Sequence, residues 1–336
     1  MKSRIAIRRT LLCGLAAAAA AGWIGGATAQ ERRFSFAYDQ PPTTAYGIAA
    51  NIFDAKLKEL SGGKMRIDQF PGAQLGQEPQ MLQKMRAGDI DFVITSTANA
   101  STVAPQAGVF SLHFIFRDQN HLMKVLADPA VSAAFRDMVK QSVQGAHVLG
   151  LMTMGLRSMY SKKEIHSVAD VKGEKIRVQA TKTEDEAFPA YGTQIVHMPF
   201  GDVYTSLQTG VVNIAENGVN VYLANKHYEV APVLSLTEHE ANNSLVWVSD
   251  KLWNSLTPEQ QGWVQAAADE VNRNQPAKAI ELEHQSLEKL KSIGVKVVPD
   301  VDKSGFTAIA DPYLDKLSKE LGPHADKIKT LIRAIN

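Results

Sequence analysis

Residues 197 to 217 read HMPFGDVYTSLQTGVVNIAEN. Gly201-Asp202 offers a helix start, apolar Val203, Tyr204 and Leu207 follow, and Gly210 ends the run as glycine does when a helix closes in a left-handed turn. The chain continues as VVNIAEN, a β-branched strand that stops on a carboxylate and an amide, Glu216 and Asn217. The same passage from helix through glycine into a short strand occurs earlier, in KMRAGDIDFV at residues 84 to 93. That recurrence decides the fold.

Both copies sit in the same grammar. Before the second come EKIRVQA as a strand, TEDEAFPAYG as a short helix and TQIVHM as a strand. Before the first, RFSFAYD alternates Phe34, Phe36 and Tyr38. Helical spacing then runs from Ala45 to Leu60, KMRIDQF returns to period two, and EPQMLQKMRAG and DIDFVITS give a helix and a strand. Strand, helix, strand, helix, strand with short connections implies parallel pairing and right-handed crossovers. The fold class is α/β, with two lobes built alike, each a mixed or parallel sheet flanked by helices. Ligands of open parallel sheets bind beyond the carboxyl ends of the strands. Ser96, Thr97 and Asn99 follow one third strand and Glu216 and Asn217 end the other, so two facing sheets should line a cleft with polar tips.

The tail fits this plan. Thr257-Pro258-Glu259-Gln260 is a capping-box start with proline at the first helical position. Residues 258 to 292 would span ~52 Å as a helix, long enough to cross both lobes. Pro276 within it predicts a kink.

At the other end, Lys2, Arg4, Arg8 and Arg9 precede an apolar core from Leu11 to Ile24 and a small-x-small site at Ala27-Thr28-Ala29. This reads as a secretory signal peptide, residues 1 to 29, cleaved before Gln30. Arg8-Arg9 also hints at twin-arginine export, although the flanking residues match poorly; Cys13 precedes the apolar run and does not fit a lipoprotein anchor. Removing four basic and no acidic residues takes the formal charge from +1 to −3. No cysteine remains, so disulfides and thiol chemistry are excluded. A mildly acidic surface gives no electrostatic reason to bind nucleic acid or an anionic membrane.

Enzyme signatures such as GxSxG, HExxH and GxxxxGK[ST] do not occur, and SGGK at residues 61 to 64 is a helix stop. TEHE at residues 237 to 240 reads as a solvated charge cluster, because sequence neighbours rarely converge as metal ligands. His113, His121, His166 and His227 read as structural or exposed. Arg177 is sharper. Ile176 and Val178 take one face of its strand and Arg177 the other, which demands a buried partner, as in a structural ion pair, or an opening. Arg157, in MTMGLRSMYS, poses the same choice. A guanidinium grips a carboxylate through two parallel hydrogen bonds, so two arginines at one cleft would mark an acidic ligand. Phe200 suits the ligand's apolar face or the core.

GLRSMYSKKEIHSVADVKGEKIRVQ, MPFGDVYTSLQTGVVNIAEN, HYEVAPVLSLTEH and the earlier PGAQLGQEPQMLQKMRAGDIDF resemble the solute-binding subunits of TRAP transporters, the DctP family. The similarity covers residues 31 to 336. It implies a two-lobed periplasmic binding protein, exported to the periplasm and without catalysis, metal or cofactor. Such a protein closes over an organic acid and delivers it to the small and large membrane subunits of a permease. The family's carboxylate-gripping arginine falls in KIRV, at Arg177; its second falls in GxR, at Arg157; and its polar contact follows AEN, at Asn217. The full expected contact set is Arg177, Arg157, Asn217, Phe200, Ser96, Asn99, Asp39 and Glu216. Sialate-binding members carry a glutamate and an arginine where this chain has Ser96 and Asn99, which argues against sialic acid. HYEV and SLTEH look more like members that take sugar acids, an aldonate or uronate; a C4-dicarboxylate, a malonate-like acid or an aromatic acid stays open. A rival from another class is a secreted α/β hydrolase or isomerase using Asp202, His197 or Glu216 as acid and base. The expected division is residues 30–154 plus 243–282 in lobe I and 155–242 plus 283–336 in lobe II, with chain crossovers near 154 and 242, in a monomer.

Overall fold

The computed structural model describes residues 31–140 and 143–336, and the expected signal peptide lies outside them. The chain begins with β1 (Arg32–Ala37), α1 (Ala45–Leu60), β2 (Met65–Phe70), α2 (Glu78–Ala87) and β3 (Phe92–Ser96). Short α3 (Thr97–Ala100), then α4 (Gln119–Ala127) and α5 (Pro129–Val139), lead into the long β4 (Ala146–Ser161). The second repeat is β5 (Lys175–Val178), α6 (Lys182–Ala190), β6 (Gln194–His197), α7 (Val203–Thr209) and β7 (Ile214–Gly218). After α8 (Val219–Ala224) come a second long strand, β8 (Val233–Ser249), α9 (Asp250–Ser255) and α10 (Pro258–Ser292). β9 (Lys296–Val298), α11 (Ser304–Leu321) and α12 (Pro323–Ala334) finish the chain.

Each repeat is parallel, with its first strand between the other two: β2-β1-β3 and β6-β5-β7. The glycine stops hold, since Gly88 and Gly210 close α2 and α7 at φ 81° and 75°. The expectation of two separate sheets does not. β4 and β8, 16 and 17 residues long, pair antiparallel with each other and join both repeats into one sheet, β2-β1-β3-β8-β4-β7-β5-β6. Residues 154 and 242 fall inside these strands, and the β4–β8 register slips between Thr153 and Leu156 and again between Arg157 and Met159. Slips of this kind bend and twist a ladder locally.

Strand alternation sends side chains to both faces, so each half has a core on either side. In the first half Phe36, Phe53 and Phe92 pack ring against ring at centroid separations of 5.4, 5.9 and 5.1 Å, each pair worth ~0.5–1.5 kcal/mol beyond its buried area. Val93, on the other face, packs with Phe110 and Phe135. In β7, Ile214 enters one core of the second half and Ala215 the other.

Helix α10 starts at the expected capping box, with Thr257 and Gln260 exchanging bonds of 3.1 and 3.2 Å. It spans both halves: Val264, Val271 and Ala279 lie in a first-half core and Leu290 in a second-half one. Beside Pro276, buried Gln275 brackets Thr153 of β4, donating to its carbonyl at 2.7 Å and accepting from its N–H at 3.3 Å. Farther along, Glu283 accepts the first N–H groups of α8, from Val219 and Asn220, at 2.7 Å each. Gly155, at φ 90°, lets this carboxylate approach, since a Cβ there would lie 2.8 Å from Glu283 Cγ. The C-terminal helices were expected with lobe II but divide between the halves. Phe306 and Ala310 of α11 complete a second-half core, whereas Leu314, Leu321 and Ile332 pack with Phe110 and Phe135. The apolar face of α12 settles on α5 and so reverses that part of the assignment.

Candidate functional site

A cavity of about 500 Å3 lies between the halves, beyond the carboxyl ends of β3, β5 and β7. Asp39, Ser96, Asn99, Arg157, Arg177, Phe200 and Asn217 all line it. A larger depression of about 770 Å3 faces outward between α5, β4 and α10, where the cationic Arg136 and Arg273 are exposed and paired with Asp269 and Glu270.

Arg177 projects from β5 opposite the face that Ile176 and Val178 give to the core. It is 3 % exposed, and among the described residues no carboxylate lies within ion-pair distance of it. One edge of the guanidinium is used: Nε and Nη2 both donate to the Met198 carbonyl, at 3.1 and 2.9 Å. The remaining N–H groups of its five are left for the cleft. Burial pulls the group below its ordinary value, with Glu216 opposing the shift at a distance, and it stays cationic. The structural ion pair open at the sequence level does not form.

Arg157 is the opposite case. Its Nε and Nη2 grip the Glu216 carboxylate, Nη1 donates to Asn242 Oδ1 at 3.1 Å, and Glu240 lies 3.3 Å from Nε. Glu216 was expected to meet the ligand. The structure places it behind Arg157, 2 % exposed and off the cleft wall, because alternation along β7 turns it away from the side that Asn217 takes. Asn217 accepts from Asn242 at 2.8 Å, and its own Nδ2 has no hydrogen bond among the described residues.

The first-half wall is built on Glu78, a residue sequence reasoning passed over. Buried at the start of α2, its carboxylate accepts from Ser96 N and Oγ, Asn99 Nδ2 and Tyr46 Oη, at 2.7 to 3.1 Å. Its place one turn before an apolar run was the available signal, but the donors come from α1 and from the β3–α3 junction. Burial, with Glu78 nearby, pushes the Asp39 carboxyl well above its usual range. Phe200 packs against cores of both halves and lies 5.4 Å from the His227 ring, whose imidazole burial and Arg177 push down to about 4.

The halves touch across the cleft. Gln179 donates to Ser96 Oγ at 2.8 Å, Gly201 N to Gln77 Oε1 at 3.1 Å, and Asn225 to Gln40 Oε1 at 3.1 Å. None of these glutamines was in the expected set. The acid–base rival finds no support in this geometry: His197 bonds Asp185 at 2.6 Å, Glu216 is held by Arg157, and Asp202 is exposed. The TEHE segment also departs from expectation, since His239 and Glu240 are buried at 0 % and 3 % exposure rather than solvated. Glu238, at φ 45°, makes a bulge held by Ser158 and Thr237, which carries His239 and Glu240 inward together.

Residues 36–320 match the family model described as bacterial extracellular solute-binding protein, family 7. The chain is 30% identical over 335 residues to the 2,3-diketo-L-gulonate-binding periplasmic protein YiaO of Escherichia coli K12, covering 98% of this chain and 99% of that one. It is similar to the structure of a TRAP periplasmic solute binding protein from Xanthobacter autotrophicus Py2 with bound β-D-galacturonate, at 30% identity and TM-score 0.83, covering 90% and 100% of the two chains. A second such structure, from Pseudomonas putida F1 with bound D-glucuronate, matches at 30% identity and TM-score 0.84, covering 91% and 98%.

Proposed function

Because this chain belongs to the bacterial extracellular solute-binding proteins of family 7, we propose that its interlobe cleft binds a sugar acid, a uronate or aldonate, for delivery to the membrane subunits of a TRAP permease. The observation that carries the reading is Arg177, a buried cation with no carboxylate in ion-pair range among the described residues, on the wall of a polar cleft. A buried charge is normally paired, and a ligand carboxylate supplies the pair. The rest of the lining favours a polyol. Asn99, Asn217, Gln179 and Asn242 offer amides, which both donate to and accept from hydroxyls. A second ligand carboxylate would ask for a second uncommitted buried cation, and Arg157 is already neutralised by Glu216. Likeness to proteins that hold galacturonate and glucuronate supports the same class. The binding protein works as an exported, periplasmic monomer.

Thermal unfolding against a panel of acids tests the ligand class. D-Glucuronate or D-galacturonate at ~100 times its dissociation constant should stabilise the chain by ~2.7 kcal/mol, while succinate and malonate leave it unmoved. Stabilisation by the dicarboxylates alone would replace the sugar-acid reading.

Binding is coupled to closure. Contacts from both halves are made together only when the cleft is shut, so the ligand favours the bridged form by its differential affinity for it. Bending concentrates near Pro276 and the β4–β8 slips, where Gln275 and Thr153 meet. Small-angle scattering should show a smaller radius of gyration with saturating uronate; an unchanged profile would mean that the cleft is preformed.

A further inference from the structure

Behind Arg157, deeper than the cleft, a second constellation is fully enclosed. His113 follows the first-half turn at Pro105–Ser111, Glu184 and Tyr191 come from α6 and its cap, and His239 and Glu240 come from the β8 bulge. His113, Glu184, His239 and Glu240 are each 3 % exposed or less. Both imidazoles are oriented alike. His113 Nδ1 bonds Tyr191 Oη at 3.0 Å and His239 Nδ1 bonds Thr237 Oγ1 at 2.8 Å, and the ring centroids lie 5.0 Å apart. That leaves both Nε2 atoms buried without a close hydrogen bond, while Glu184 and Glu240 turn their carboxyl groups toward each other. Ring nitrogens of His113 and His239 and a Glu240 oxygen lie within 4.8 Å of one another. Glu184 approaches to 3.6 Å from His113 Nε2, and Glu216 to 3.6 Å from His239 Nε2.

Glu216 grips the Arg157 guanidinium and Glu240 lies 3.3 Å from its Nε, so carboxyl oxygens and imidazole nitrogens converge in one apolar interior.

We propose that His113, His239, Glu240 and Glu184 form a structural site for a divalent cation of the zinc class, with both histidines ligating through Nε2. Two imidazoles and two carboxylates supply the nitrogen and oxygen donors that zinc takes in a tetrahedral, four-coordinate site. Ligands at ~2.1 Å from zinc sit roughly 3.4 Å apart, so His113, His239 and Glu240, now within 4.8 Å of one another, close in by up to roughly 1.4 Å while Glu184 swings in from beside His113. Tyr191 and Thr237 act as the outer partners that fix the imidazoles. The ion ties the first-half turn to α6 and β8, away from Arg177 and the cleft floor.

The test is to unfold the chain with a chelator, refold it with or without zinc chloride, and measure bound metal and thermal stability. Wild type should retain one zinc per chain and melt higher with it, and cobalt in its place should show the intense visible bands of a four-coordinate ion. Tyr191→Phe should weaken zinc binding roughly 10- to 100-fold. His113→Ala and His239→Ala should lose the metal. Glu184→Gln/Glu240→Gln, which keeps the shape but removes the anionic oxygen donors, should fold without zinc and retain none. A wild type that refolds equally stable and zinc-free, or a glutamine double variant that retains zinc like wild type, overturns the proposal.

Discussion

Arg177→Ala abolishes acid binding while the chain stays as stable as wild type, or gains slightly. Truncating one partner of a buried, hydrogen-bonded charge pair typically costs ~2–5 kcal/mol, which is roughly 30- to several-thousand-fold in affinity. Without ligand the same change costs the fold little, because it removes a buried cation that no carboxylate among the described residues pairs with. What it forfeits is the pair of bonds to the Met198 carbonyl. Calorimetry against the acid that stabilises wild type, run beside thermal unfolding of the ligand-free variant, reads both sides. An affinity within threefold of wild type would remove Arg177 from the site.

Arg157→Ala should do the reverse. Here the guanidinium grips Glu216 and lies 3.3 Å from Glu240, and its removal strands the Glu216 carboxylate in the interior. Breaking a buried pair from one side costs ~3–5 kcal/mol. For a chain of this size that lowers the melting temperature on the order of 10 °C. A variant that melts with wild type would show that this arginine is not what holds the cluster together. The two substitutions look alike in sequence, one arginine per β-rich segment, and differ only in what stands opposite each side chain.

That difference marks the limit of what the sequence alone made legible. Period-two and helical spacing identified both repeats, and the Thr257–Gln260 capping box located the start of the long helix, because these signals are local. Seven expected cleft residues line one cavity: Asp39, Ser96, Asn99 and Asn217 lie at or just past strand ends, which face it in a parallel sheet, whereas mid-strand Arg157 was placed by the family resemblance. Glu216 was misplaced, since the tip of a strand gives no hint of which of two adjacent polar residues turns inward. Glu78 was missed because its role exists only once Tyr46, Ser96 and Asn99 arrive from elsewhere. The continuous sheet was hidden as well. β4 and β8 carry Arg157, Ser158, Glu240 and Asn242 in mid-strand, which breaks the apolar pattern at the point where they pass between halves. For His239 and Glu240, simple alternation would have sent neighbours to opposite faces, and only the left-handed Glu238 brings both inward.

The division of the C-terminal helices sets an order in time. Phe306 and Ala310 close one core of the second half, and Leu314, Leu321 and Ile332 close one of the first. His121 and Lys124 then reach the carbonyls of Ile332 and Asn336, at 3.1 and 2.8 Å. A nascent chain leaves the ribosome N-terminus first and folds by units as they become complete. In this molecule neither unit is complete until its last stretch has emerged. Synthesis therefore delivers a long, unfinished polypeptide rather than a folded first half.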